Sequence, residues 1–138
     1  MKRTPKAALA FYISMCSIVS SLFVGSCANE TREKKVLDLP DPLKAGWESS
    51  SVCEVMEENE KLRILRCTFP PGVGHERHYH DPHIGYTISG GKFRILNAEG
   101  TREVMVPTGY TYSNDSTIIH EVLNIGETTA QFLIIEYK

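Results

Sequence analysis

All five histidines of the chain fall in two places. His75, His78, His80 and His83 stand close together, and His120 follows much later. A lone histidine is usually a solvated or core residue, but a cluster points to metal binding or acid–base work. Spacing gives the chemistry. His78 and His80 are two positions apart, so on a strand both rings face one side. Two imidazoles on one face can hold one metal ion, and a third ligand must come from another strand. In the run 118–124 (IIHEVLN), His120 shares its face with Ile118, Val122 and Asn124. That face is mostly apolar, which aims His120 inward and Glu121 outward. The expectation is one metal ion on His78, His80 and His120.

The elements around these residues read as β. From residue 51 the chain is a series of short runs at 51–57, 62–69, 84–89, 92–97, 102–106, 110–113, 118–124 and 129–137. Pro70-Pro71-Gly72, Gly90-Gly91, Glu99-Gly100, Pro107-Thr108-Gly109 and Gly126 separate them. Runs with this punctuation predict an all-β barrel or sandwich. No segment carries a long helical period.

Two stretches resemble cupin motifs. Gly72-Val73-Gly74-His75-Glu76-Arg77-His78-Tyr79-His80, followed by Gly90-Gly91, is similar to the first motif: glycine, His-x-His, an acidic ligand, a closing glycine. Gly100, Pro107-Thr108-Gly109 and His120-Glu121-Val122-Leu123-Asn124 are similar to the second. The likeness covers about residues 60–137. It implies an all-β jelly-roll barrel, the double-stranded β-helix of the cupins. In texture it is nearest to small single-domain members of the β-alanine degradation type.

The sequence departs from the pattern twice. The interval from Gly109 to His120 is long, which predicts an extended loop over 113–117. The acidic ligand is missing. Counting back from Gly91 puts Ile84 in its slot, and counting back from Gly90 puts His83 there. If the chain stays extended, Ile84 and Tyr86 share the inward face with His78 and His80. If Asp81-Pro82 breaks the alternation, His83 turns inward as a fourth ligand, because proline fixes φ and lacks a donor. Ile84, Tyr86 and Tyr112 are the expected cavity residues. His75 reads as a solvated residue at the loop mouth, with a supporting place behind the ligands or at the cavity entrance as the alternative. Arg77 and Arg94 could bind a substrate carboxylate, although single arginines are usually solvated.

Imidazole ligation suits a divalent transition metal: Fe, Zn, Ni, Cu or Mn. Three ligands leave positions open, as a catalytic site requires. The ligating rings must be neutral, so metal binding should weaken below about pH 6.

Charge separates the start of the chain from the rest. Lys2, Arg3 and Lys6 are basic, and no acid precedes Glu30. An apolar run over 7–24 follows, interrupted by four serines. This pattern reads as a secretory signal, since a bilayer span needs about 17–25 apolar residues with less dilution. Val24-Gly25-Ser26-Cys27 resembles a bacterial lipobox, which implies acylation of Cys27 and a membrane anchor. The expected organisation is a signal over 1–26, a tether and lead-in over 27–50, and a barrel over 51–138.

Cys53 and Cys67 flank the polar turn Glu58-Asn59-Glu60-Lys61. A hairpin centred on Glu60 sets them opposite each other, within reach of a disulfide. Export would supply the oxidising compartment. Two buried thiols are the alternative.

With 138 residues and a net charge of −2, the chain has one-domain length and no electrostatic case for nucleic acid. Two functions fit: a metal-dependent, oxygenase-like enzyme on a small polar metabolite, or a non-catalytic module that binds a small molecule or a metal. A weaker third reading is a metal-free scaffold. The Met105–Val106 region could support a homodimer.

Overall fold

The structure is a computed structural model that describes residues 38–138. The expected signal, Cys27 and the first part of the tether lie outside those residues.

Alternation of apolar and polar residues drives the chain into strands: β1 (Gly46–Trp47), β2 (Ser50–Ser51), β3 (Cys53–Glu58), β4 (Leu62–Phe69), β5 (Gly74–His80), β6 (His83–Ser89), β7 (Gly91–Asn97), β8 (Gly100–Val106), β9 (Thr111–Asn114), β10 (Ile118–Asn124) and β11 (Ala130–Tyr137). One large sheet has the order β3-β4-β11-β6-β9 and the other β5-β10-β7-β8, β1 and β2 form a separate two-stranded sheet, and every pairing is antiparallel. The expected loop over 113–117 is shorter than predicted, because Ser113 and Asn114 belong to β9.

The sheets face each other across a core of Leu65, Phe69, Phe93, Phe132 and Ile134. These come from alternate positions of β4, β7 and β11, so the period of two decides which residues meet. Phe69, Phe93 and Phe132 pack edge to face, with centroids 5.5–5.9 Å apart. Truncating a buried phenylalanine in such a cluster costs about 3–5 kcal/mol. The same three rings line the cavity that holds His75, His78, His80 and His120.

The lead-in packs on the barrel through the buried Pro42 and Ala45 and the half-buried Trp47. Pro40 O accepts from the Tyr79 amide, and Trp47 lies where a side chain at position 74 would stand, so only glycine fits there. The lead-in thereby covers the free edge of β5, which would otherwise expose unpaired backbone groups. Cys53 and Cys67 face each other across β3 and β4 and are joined by a disulfide.

Candidate metal centre

β5 and β10 pair with His78 opposite His120. The register slips next to this pair, so that Val122 faces His75. β5 thus spends one more residue than β10 between the two pairs. This bulge breaks the alternation and turns His75, His78 and His80 all inward, where all three are buried. The sequence reading favoured solvent for His75 over a place behind the ligands. It is instead stacked on His78 at 3.8 Å, and its Nε2–H donates to Pro42 O at 3.0 Å.

His78, His80 and His120 each offer one ring nitrogen, and these atoms lie within 4.8 Å of one another. The backbone and one carboxylate decide which nitrogens are offered. His78 Nδ1 donates to Glu76 O at 2.6 Å, and His80 Nδ1 donates to Glu136 Oε1 at 2.8 Å. Both protons are thereby held on Nδ1, and both Nε2 lone pairs are left free. Those two atoms face each other at 2.9 Å. Two lone pairs cannot hydrogen-bond without a shared proton. A metal ion held by both nitrogens would resolve the contact, because two nitrogens at ordinary ligand distance from one ion stand about 3 Å apart. The donor set therefore fits a divalent transition metal.

Electrostatics favour the neutral rings a metal requires. Burial holds His78 and His80 well below the usual histidine range, and neighbouring rings add to the effect. His120 is lowered to about 3, chiefly by burial and then by His80, His75 and His83.

His83 turns inward, as a break at Asp81-Pro82 predicts, yet it stands outside the ligand group. Its Nδ1 donates to Asp81 O at 2.7 Å, and its Nε2 accepts from Asn114 Nδ2 at 3.1 Å. The lone pair a metal would need is already engaged. The same break corrects two expected cavity residues. On β6 the inward positions are His83, Gly85 and Thr87. Ile84 and Tyr86 therefore point away from the cavity, and Tyr86 is 43% exposed. Tyr112 does line the cavity, its ring lying over Gly85 where no Cβ could fit. Of the two arginines considered, Arg94 sits outside against Glu103, and neither it nor Arg77 lines the cavity.

Sequence reasoning missed Glu136. It is buried on β11, where it accepts from His80 and from Arg63 Nε at 2.9 Å. The signal was available: Glu136 has the parity of Phe132 and Ile134, so an acid stands on an inward face.

No protein-family model matches the chain, and no curated protein matches it. Solved structures do. A cupin domain from Bordetella pertussis Tohama I is similar with a TM-score of 0.60 and 25% identity, over 63% of this chain and 92% of that one. This barrel has the cupin fold. A cupin superfamily protein from Desulfitobacterium hafniense is similar at TM-score 0.50 and 12% identity, over 62% of this chain and 74% of that one. The polyketide cyclase RemF from Streptomyces resistomycificus reaches TM-score 0.55 at 14% identity, over 74% of this chain and 75% of that one. In this barrel the three-histidine group lines a cavity of about 800 Å³ between the sheets. Asn124, from the second motif, is wholly buried and donates to Phe69 O and Thr128 O, both at 2.8 Å. Its role is to fasten the turn after β10, which sets the strand that carries His120.

Proposed function

We propose that the chain is a metal-dependent cupin lipoprotein of the bacterial envelope that acts on a small molecule by oxygenase-type chemistry. The observation that carries this reading is the pair of Nε2 lone pairs of His78 and His80, facing each other beside His120. Those three rings would hold the ion. A metal there supplies Lewis-acid or, with iron or copper, redox chemistry next to the cavity. Glu136 and Glu76 O orient the ligating rings. The lipid anchor on Cys27 and export rest on the sequence pattern at 1–27. Pairing through β8, a sheet edge that carries the exposed Met105, would give a homodimer.

One observation favours a second reading, a non-catalytic binding module. Beyond the ligating rings, Tyr112 is an obvious proton donor in the cavity wall, but burial pushes its hydroxyl up to about 12. It is a poor acid at neutral pH.

Elemental analysis of the full chain, purified in detergent without a histidine tag, tests the metal. About one transition metal per chain is expected, and its loss in a His78→Ala/His120→Ala variant. No metal in either protein would remove the metal-dependent reading. Oxygen consumption with thiols, diketones and amino acids then separates enzyme from binder. Labelling with radioactive palmitate, compared with Cys27→Ala, tests the anchor.

A further inference from the structure

We infer that the cavity takes a small organic monocarboxylate with an apolar body, and that Arg102 binds its carboxylate. The inference rests on the proposed metal reading only for what lies at the histidine end. Arg102 stands on β8 at the parity of Val104 and Val106, which also line the cavity. It is the one lysine or arginine in the cavity wall. Other cations of this region are engaged outside: Lys92 and Arg94 both reach Glu103. Arg102 makes no ion pair among the described residues. Glu99 is the one acid in the wall; it belongs to the exposed turn between β7 and β8 and does not pair with Arg102.

Register places Arg102 relative to the histidines. Val122, Ile95 and Arg102 form one row across β10, β7 and β8. His120 is the next inward position along β10. The guanidinium and the His120 ring therefore face the same interior space, with Ile95 and Val122 between their strands. Phe93, Val104, Phe132 and Ile134 make an apolar part of the wall, and Asn97, Tyr110, Tyr112, Ser113 and Asn114 a polar part.

The ligand class follows from what the wall can satisfy. A guanidinium presents a planar fork of donors that matches a carboxylate. A single cation neutralises one negative charge, so a dianion would keep a charge without a partner. An ammonium group would find one acid to neutralise it, Glu99 at the rim. The body of the ligand must be apolar to displace water from the phenylalanine and valine wall. The cavity size suits a small molecule of this kind, for which pockets of about 300–1,000 Å³ are usual.

Calorimetric titration tests the inference on the full chain in detergent, both zinc-loaded and stripped of metal. The probes are benzoate, its neutral analogue benzamide, and inorganic phosphate. Benzoate should bind at least tenfold more tightly than benzamide or phosphate. Arg102→Met should lose at least tenfold in benzoate affinity with its metal content unchanged, and Arg102→Lys should lose less. Benzoate binding unaffected by Arg102→Met would overturn the inference, as would no binding to either form. If the wild type holds no metal yet binds benzoate through Arg102, the metal reading fails and this inference stands. Arg102 is exposed on an edge strand, so its replacement does not disturb the core.

Discussion

Glu136 holds the proton of His80: Oε1 of the carboxylate lies 2.8 Å from Nδ1 of the ring, while Oε2 is engaged by Arg63. The pair is buried, so the carboxylate cannot be replaced by water. A carboxylate behind a ligating histidine fixes the tautomer and raises the basicity of the other nitrogen. Glu136→Gln should therefore weaken metal affinity about 10–100-fold, the usual effect of losing such a partner. Competition with a chromogenic chelator reads this directly. Unchanged affinity would show that Glu136 serves only the Arg63 ion pair.

The metal-free protein should lose stability as pH falls from 7 to 5. Burial lowers His75, His78, His80 and His120, so the folded chain keeps these rings neutral. The unfolded chain protonates them near pH 6.5. Between that value and the folded one, the unfolded state binds more protons, and stability falls with falling pH. For His120 the loss is about 1.4 kcal/mol per pH unit below the unfolded value. The window for His120 extends from 6.5 down to about 3. Thermal denaturation of chelator-treated protein at pH 5–8 checks the slope, which His120→Ala should flatten. The same shifts revise an expectation drawn from free histidine. Protons should begin to displace the metal well below pH 6.

His83 separates two designs of the centre. Its Nε2 accepts from Asn114, and its Nδ1 proton is held by Asp81 O. His83→Gln should keep about one metal per chain, whereas His80→Gln should lose it. Elemental analysis of the two variants decides. A parallel loss in both would make His83 a ligand after all.

The parts of the centre that follow simple strand parity were legible in the sequence. His78 and His80 are two apart, and His120 shares a face with Val122, so their convergence needed only a period of two. His75 was not legible. The bulge beside it depends on how β5 meets β10, and no proline or glycine in Glu76-Arg77 announces it. On β6 the sequence offered both answers, and Asp81-Pro82 selected the one that points Tyr86 outward. The fold itself was readable because turn residues punctuate nearly every strand. The aromatic cluster of Phe69, Phe93 and Phe132 was not, since it depends on which strands become neighbours across the two sheets.

The disulfide between Cys53 and Cys67 ties β3 to β4 at the cavity wall, which Cys67 helps to line. β3 is an edge strand, and most of its residues beyond Cys53 are exposed. Few apolar contacts therefore hold it, and the bond should carry a large share of its attachment. The bridged cysteines are 14 residues apart. Closing a loop of that length removes chain entropy worth about 3 kcal/mol from the unfolded state. The Cys53→Ala/Cys67→Ala variant should be less stable by about 2–4 kcal/mol in urea unfolding. Metal content should not change, because His78, His80 and His120 are carried by β5 and β10 in the other sheet. Loss of the metal together with the bond would mean that the hairpin helps to shape the centre, through the contact of Cys53 Sγ with His75 at 3.9 Å.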